Sequence, residues 1–420
     1  MAAMRFTPES VRQQFPALAQ IVNDKPVVFF DGPGGSQVPQ SVLDAMVAYL
    51  GRYNANLGGH YFSSQKTVEL VQSAREHVQA LLNAPTPESI VFGANMTSLT
   101  FQFSRAISRD WRVGDEVIVT ALDHYSNVSS WQQAAQDKGA IVHQARVNTA
   151  DCTLDQAHLL SLINPRTRLV AVTFASNTTG SLVELEAIIE AAHQVGAMVY
   201  VDAVHYLPHH LPDVQALGCD FLACSAYKFF GPHVGIVYVA PQWQNTILPY
   251  KVEPATNQGP GRFETGTLSF EGLAGVIAVV QYLAQWGDPN SRLRERLVES
   301  YQQYQQHEQR LSEYFLQKLS DMPALKLHGL QLADAAKRTP TFALTCTDCT
   351  PQSMAKMLGE QNVCVWNGHF YALGLVRQLG LESSGGVLRI GLMHYNTTEE
   401  IDHLFALLRD GLPHLAHSFQ

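Results

Sequence analysis

The sequence predicts an α/β protein: a doubly wound, mostly parallel sheet in a large domain, followed by a small α+β domain. Three observations predict it. Between residues 30 and 283, strand-like runs alternate with helical patterns. Several of those runs are almost continuously apolar, as parallel strands covered on both faces must be. From about residue 284 the rhythm changes to a long charged helix and then short, mixed elements. Composition sets the outer bounds. Of the 420 residues 46% are hydrophobic, which excludes a disordered or low-complexity chain. Lys and Arg number 28 against 37 Asp and Glu, a net charge of −9. That balance argues against a nucleic-acid partner, which needs a basic patch, and against an anionic membrane surface. No apolar run approaches the roughly 18–20 residues of a membrane helix. The segment MAAMRFTPES lacks the apolar stretch of a secretion signal, so a cytoplasmic protein is expected. Six cysteines (Cys152, Cys219, Cys224, Cys346, Cys349, Cys364) are too sparse for a disulfide scaffold. Cys346 and Cys349 form one C-x-x-C, but no second ligand pair stands near them in sequence, so no metal site is expected.

The elements follow in order. Residues 1–29 read as an N-terminal segment with a short helix in PESVRQQFPAL, expected to pack on the small domain. In the large domain, 30–283, the strand candidates are SIVF (89–92), EVIVT (116–120), RLVAVTF (168–174), MVYVDA (198–203), DFLAC (220–224) and VGIVYV (234–239). Val68, Val71, Ala74, Val78 and Leu81 recur at helical spacing, and Pro85 and Pro87 should stop that helix. Leu185, Ile188, Ile189 and Ala192 define another helix before Gly196. The small domain, 284–420, opens with a helix over 291–319. LKLHG, TPTFALTC, a helix around QSMAKMLGEQ, VCVWN, GVLRIGL and a closing helix in TEEIDHLFALLRDGL complete it.

The chemistry concentrates at strand ends. Asp202 closes one buried strand. Lys228 follows the next, in a small-residue turn ended by Gly231-Pro232. Ligands of open α/β sheets bind at the carboxyl ends of strands, so both residues point to one edge. Pyridoxal phosphate (PLP) needs such a pair: a lysine that holds it as a Schiff base and a carboxylate at its pyridine nitrogen. Alone, an aspartate and a lysine so placed are more often structural, because strand-end carboxylates commonly cap helices.

The motif S-A-Y-K followed by Gly231-Pro232, with VDA upstream, resembles the class V aminotransferase family of fold-type-I PLP enzymes. Within it the similarity is to group II cysteine desulfurases. It runs from FDGPGGSQVP (30–39) to LRIGLMHYNTTEEID (388–402). The resemblance implies a mostly parallel seven-stranded sheet in the large domain, PLP as cofactor and a homodimer with a shared active site. It assigns Lys228 as the Schiff-base lysine, Asp202 as the pyridine-nitrogen partner and His124 as the imidazole stacked on the ring. Asn177 matches an asparagine near the phenolic oxygen. His205 stands where a glutamine is usual and still has a donor to offer. Asn95, Met96 and Thr97 occupy the phosphate-binding turn, with Ser225 beside Lys228. There a strand–turn–helix aims backbone N–H groups at an anion. Thr267, otherwise an ordinary turn residue, matches a threonine that reaches the phosphate of the other subunit. Arg389 matches the arginine that grips the substrate α-carboxylate, a role suited to its planar fork.

The sequence also departs from that pattern. At the loop where these desulfurases carry a catalytic cysteine, alignment on Gly368-His369 puts Tyr371, which cannot accept sulfur as a persulfide. Tyr371 is therefore assigned to the substrate side of the site. Cys364 lies in the strand-like NVCVW, where a core role is expected. The segment NANLGGHYF carries Gly58-Gly59 in place of a His-Arg arrangement, and Gly32, Gly34 and Gly35 are expected to admit close approach of a substrate. The expected activity is PLP-dependent chemistry on a small amino acid, most simply C–S cleavage of cysteine or a derivative without a protein persulfide. Transamination is the alternative and epimerisation or racemisation the third reading.

Overall fold

In the computed structural model, which describes residues 5–417, seven strands form the central sheet. They are β1 (Ile90–Gly93), β2 (Glu116–Thr120), β3 (Ile141–Ala145), β4 (Thr167–Thr173), β5 (Met198–Asp202), β6 (Phe221–Ser225) and β7 (Gly235–Val239), in the order β1-β7-β6-β5-β4-β2-β3. Strands β3, β2, β4, β5 and β6 are parallel to one another. β7 is antiparallel to both its neighbours. The connection from Ser225 to Gly235 is too short for the crossover that a parallel pair requires. It turns back instead, and Lys228 sits in that turn.

Alternation along each strand divides the core between two faces. Ile118, Val199, Val201, Leu222 and Cys224 face one helical layer. Val117, Val119, Tyr200, Phe221 and Ala223 face the other. The first layer includes helices Phe62–Leu82 and Phe270–Leu283; the second includes Met96–Ile107 and Ser126–Lys138. β3, absent from the strands expected from sequence, is one of the two edge strands, β1 being the other. Its exposed and half-buried residues carry none of the continuous apolarity of β2 or β6. The helix expected around Ala74, Val78 and Leu81 buries those three, but Val68 is 50% exposed. That helix ends at Leu82, before either proline, because Asn83 takes the left-handed conformation at its C-cap (φ 52°).

The second sheet has four antiparallel strands, β8 (Leu325–His328), β9 (Thr341–Cys346), β10 (Trp366–Gly368) and β11 (Val387–Gly391), in the order β8-β9-β11-β10. VCVWN is divided: Trp366 begins β10, whereas Val363–Cys364 pairs in parallel with Val28–Phe29. Helices Leu293–Ser320, Pro351–Gly359 and Thr398–His417 complete this region around Leu311, Phe315, Phe342, Ile390 and Phe405. Residues 1–4 of the expected N-terminal segment, and 418–420, lie outside the described residues. From Pro8–Arg12 onward the segment touches both regions. Arg12 pairs with Glu400 at 2.7 Å, and Phe15 packs edge-on against Phe230, Tyr282 and Tyr395.

Candidate active site

The carboxyl ends of β4, β5 and β6 open into a cavity of about 350 Å³. Asn95, Met96, Thr97, His124, Asn177, Asp202, His205, Ser225 and Lys228 all line it. Arg389, Tyr371 and Thr267 are not among its lining residues.

Lys228 leaves the 3-10 turn Ala226–Lys228, and its Nζ donates to Pro33 O at 2.6 Å. Burial lowers its pKa to about 7, with Arg389 adding to the effect against Asp202 and Asp31. Asp202, buried at the end of β5, accepts the Val204 N–H at 2.9 Å. Burial pushes its carboxyl up to about 6, against the hydrogen bond from Val204 and the charge of Lys228. A buried carboxylate in this state is completed by a cation. His124 is held by Ser126, whose N–H donates to Nδ1 at 3.1 Å and whose Oγ lies 2.7 Å from it. Burial, then Lys228 and Arg389, lower its pKa to about 4, so the ring is neutral.

The turn expected to hold the phosphate comes from the start of helix Met96–Ile107. Asn95 caps it, accepting the Ser98 N–H at 2.8 Å. The Met96 N–H is already donated to Ser225 Oγ at 3.2 Å, so it is not free for an anion as the sequence suggested. Gly235 allows this turn to approach β7: a Cβ there would stand 2.3 Å from the carbonyl carbon of Asn95. Thr267 is exposed and lines a neighbouring hollow with Gly93, Ser98 and Gln102.

Arg389 on β11 reaches the site from the other region. It donates to Asn177 O at 2.8 Å, and its guanidinium lies 4.0 Å from the centre of the Phe370 ring. Asn177 in turn donates to Phe370 O at 2.9 Å. Burial lowers the Arg389 pKa to about 9, partly offset by Asp31 and Tyr227. Phe370 and Tyr371 both have positive φ (50° and 59°), a costly conformation for bulky side chains. Tyr371 is 66% exposed, and its ring centre lies 5.2 Å from that of His124. No cysteine lines the cavity among the described residues. Cys364 is bound into the pairing with Val28–Phe29, and burial raises its thiol to about 11.

Two acids and one aromatic pair were not singled out from sequence. Asp123 is fully buried beside His124, where Thr120 and Asn127 donate to it. Burial pushes it up to about 8. Its signal was a charged residue directly after an apolar strand. Asp31 faces Arg389 and Lys228, and burial raises it to about 6. Tyr227 and His233 stack with ring centres 4.7 Å apart at the cavity wall. Two of the glycines of FDGPGGSQ, Gly32 and Gly34, lie against side chains of this chain. A Cβ on Gly32 would stand 2.5 Å from Met393 Sδ, and one on Gly34 2.6 Å from Trp366 Nε1, so they serve close packing within the chain.

The residues fit PLP. The cavity has the volume of a small-cofactor site, an amine that is readily deprotonated, a buried carboxylate in no ion pair among the described residues and a capped helix start for an anion.

Comparison with known proteins bears on the same point. The aminotransferase class-V family model matches residues 28–404. An "Aminotransferase-like protein FGM3" of Gibberella zeae is 32% identical over 417 residues, covering 97% of this chain and 99% of that protein. A cysteine desulfurase of Klebsiella pneumoniae is 32% identical over 426 residues, covering 97% and 98%. The chain spans 65% of the length of a probable cysteine desulfurase 1 of Mycobacterium leprae, with 30% identity over 419 residues. Among solved structures, cysteine desulfurase CsdA of Escherichia coli superposes with a TM-score of 0.84 at 26% identity, covering 98% of this chain and all (100%) of that one. The cysteine desulfurase of Thermococcus onnurineus NA1 gives 0.87 at 25% identity, covering 99% and 100%. A chain whose strand-end lysine and aspartate meet in this cavity, and which matches that family over almost its whole length, is a PLP-dependent enzyme of the class V aminotransferase family.

Proposed function

We propose that this enzyme breaks the C–S bond of cysteine or a cysteine derivative without passing sulfur to a protein thiol. The observation that carries the reading is the lining of the cavity. It has the amine, carboxylate and imidazole of a PLP site and no cysteine, while the desulfurase-like loop presents Tyr371. PLP, when bound, supplies an electron sink for the pair left after removal of the α-proton. Lys228 would hold the cofactor and, once the substrate amine displaces it, its amine, whose pKa burial lowers to about 7, would take the α-proton. Asp202 would keep the pyridine nitrogen charged, and His124, neutral here, would supply the imidazole beside the cofactor ring. Arg389 holds the substrate carboxylate in a two-pronged grip. Cleavage of cysteine then consumes water and yields sulfide, pyruvate and ammonia. Thr97 and Ser225, with a partner subunit's Thr267, serve the phosphate in a homodimer.

Transamination is the second reading, favoured by the aminotransferase-like relative covered over nearly its full length. Mass spectrometry of the protein after turnover with cysteine, with product analysis, separates the two. Pyruvate and sulfide with an unmodified Cys364 are expected. A persulfide on Cys364 overturns the thiol-free route. Keto acid formed from ordinary amino acids without sulfur release makes the enzyme a transaminase.

A further inference from the structure

His205 has an environment that determines which of its nitrogens carries hydrogen. Its Nε2 lies 3.1 Å from Thr339 Oγ1 and 2.9 Å from Thr341 Oγ1, both supplied by the segment that leads into and begins β9. Among the described residues Nδ1 has no hydrogen-bond partner, and His205 lines the cavity. Each threonine has one proton to give. That of Thr339 has three acceptors in reach, His205 Nε2 at 3.1 Å, Thr341 Oγ1 at 3.3 Å and Gly180 O at 3.4 Å. The hydroxyl geometry allows Thr339 to donate to Thr341. Thr341 is then left with Nε2 as its acceptor. A nitrogen that accepts cannot carry the hydrogen of a neutral ring, so the hydrogen sits on Nδ1. The ring is neutral because burial, then the charges of His209, Arg389, Lys228 and His210, hold its pKa well below the usual value.

We propose that Thr339 and Thr341 are positioning residues that lock His205 in its Nδ1–H form, so that it donates into the cavity to the phenolic oxygen of the cofactor. This rests on the PLP reading of the site and adds to it a control from β9. β9 pairs with β11 at Ala343 and Arg389, so the strand pair that bears the carboxylate-gripping arginine also orients the group that tunes the cofactor. A donor to the phenolic oxygen stabilises its anionic form and lowers the proton affinity of the bound chromophore.

Two measurements test it. In ¹⁵N-histidine-labelled protein without cofactor, nitrogen shifts should show His205 as Nδ1–H in the wild type. That pattern should be lost in Thr339→Val/Thr341→Val and kept in Thr341→Ser. In cofactor-loaded protein, pH titration of the resting visible spectrum should move upward by about one unit, tenfold in proton affinity, in the double valine variant. Thr341→Ser should titrate as wild type, and so should His205→Gln, whose amide is also a donor. Thr341→Val alone serves if the double variant does not fold, with a smaller shift in the same direction. An Nε2–H ring in the wild type overturns the inference. So does an unchanged titration in the double variant, with the wild type visibly loaded. A wild-type protein that shows no visible band and no adduct on Lys228 instead removes the PLP reading beneath it.

Discussion

Lys228 is the residue on which the proposed chemistry turns, and its setting makes its behaviour measurable. A lysine attacks an aldehyde only as a free amine. Burial first, and the Arg389 charge second, bring its pKa to about 7. The rate of PLP uptake by cofactor-free protein should therefore rise with pH through a midpoint near 7, far below that of an exposed lysine. Removing the nearby cation in Arg389→Gln should raise the midpoint, and removing the nearby anion in Asp202→Asn should lower it. Stopped-flow absorbance across pH reads both, and a common midpoint in all three proteins would disprove the charge coupling. Arg389→Lys keeps a charge but not the planar fork, so KM for amino acids should rise at least about tenfold with a smaller change in kcat. Steady-state kinetics with an amino acid and the matching amine provide the check.

At the scale of elements, the critical contact is the one between the start of helix Met96–Ile107 and β7. Gly235 is required there because backbone atoms of Asn95 occupy the place of a side chain. Gly235→Ala should push the helix start away from Ser225 and weaken PLP binding by an order of magnitude or more. Asn95→Ala removes the cap on Ser98, with an expected cost of about 1 kcal/mol in stability. Equilibrium dialysis with PLP and denaturant unfolding separate the two effects. If Gly235→Ala binds the cofactor normally, the close approach is not what shapes the phosphate turn.

The whole molecule bears an apolar surface that a single chain leaves uncovered. Val47 is 70% exposed, Leu50 50% and Phe62 62%, all on helices Gln40–Arg52 and Phe62–Leu82. Large exposed apolar side chains mark interaction surfaces where they gather, and a second copy of this chain is the proposed partner. Val47→Glu/Leu50→Glu should halve the mass measured by light scattering and loosen PLP binding, because the proposed phosphate contact from Thr267 would be lost. A mass unchanged by these charges would place the subunit contact elsewhere.

How much of this was legible in the sequence depends on how local the cause was. Continuous apolarity marked β2, β4, β5, β6 and β7, because a strand buried on both faces has no polar positions to spare. β3 was hidden for the converse reason: unlike β1 at the other edge, which is buried, it faces solvent along much of its length. Lys228, Asp202 and His124 could be read from their places just beyond strands, since chain direction brings parallel strand ends to one edge. The sequence by itself thus determined the doubly wound sheet and nine of the residues that line its cavity, but not that Arg389, Tyr371 and Thr267 stay out of that lining. The tertiary structure decided what those residues can do. Only there does Ser225 take the Met96 amide, do Thr339 and Thr341 close on His205 from a distant strand, and do Met393 and Trp366 fill the space beside Gly32 and Gly34. Hydrogen-bond partners, desolvation and contact distances depend on segments far apart in the chain, and no local pattern encodes which of them will meet.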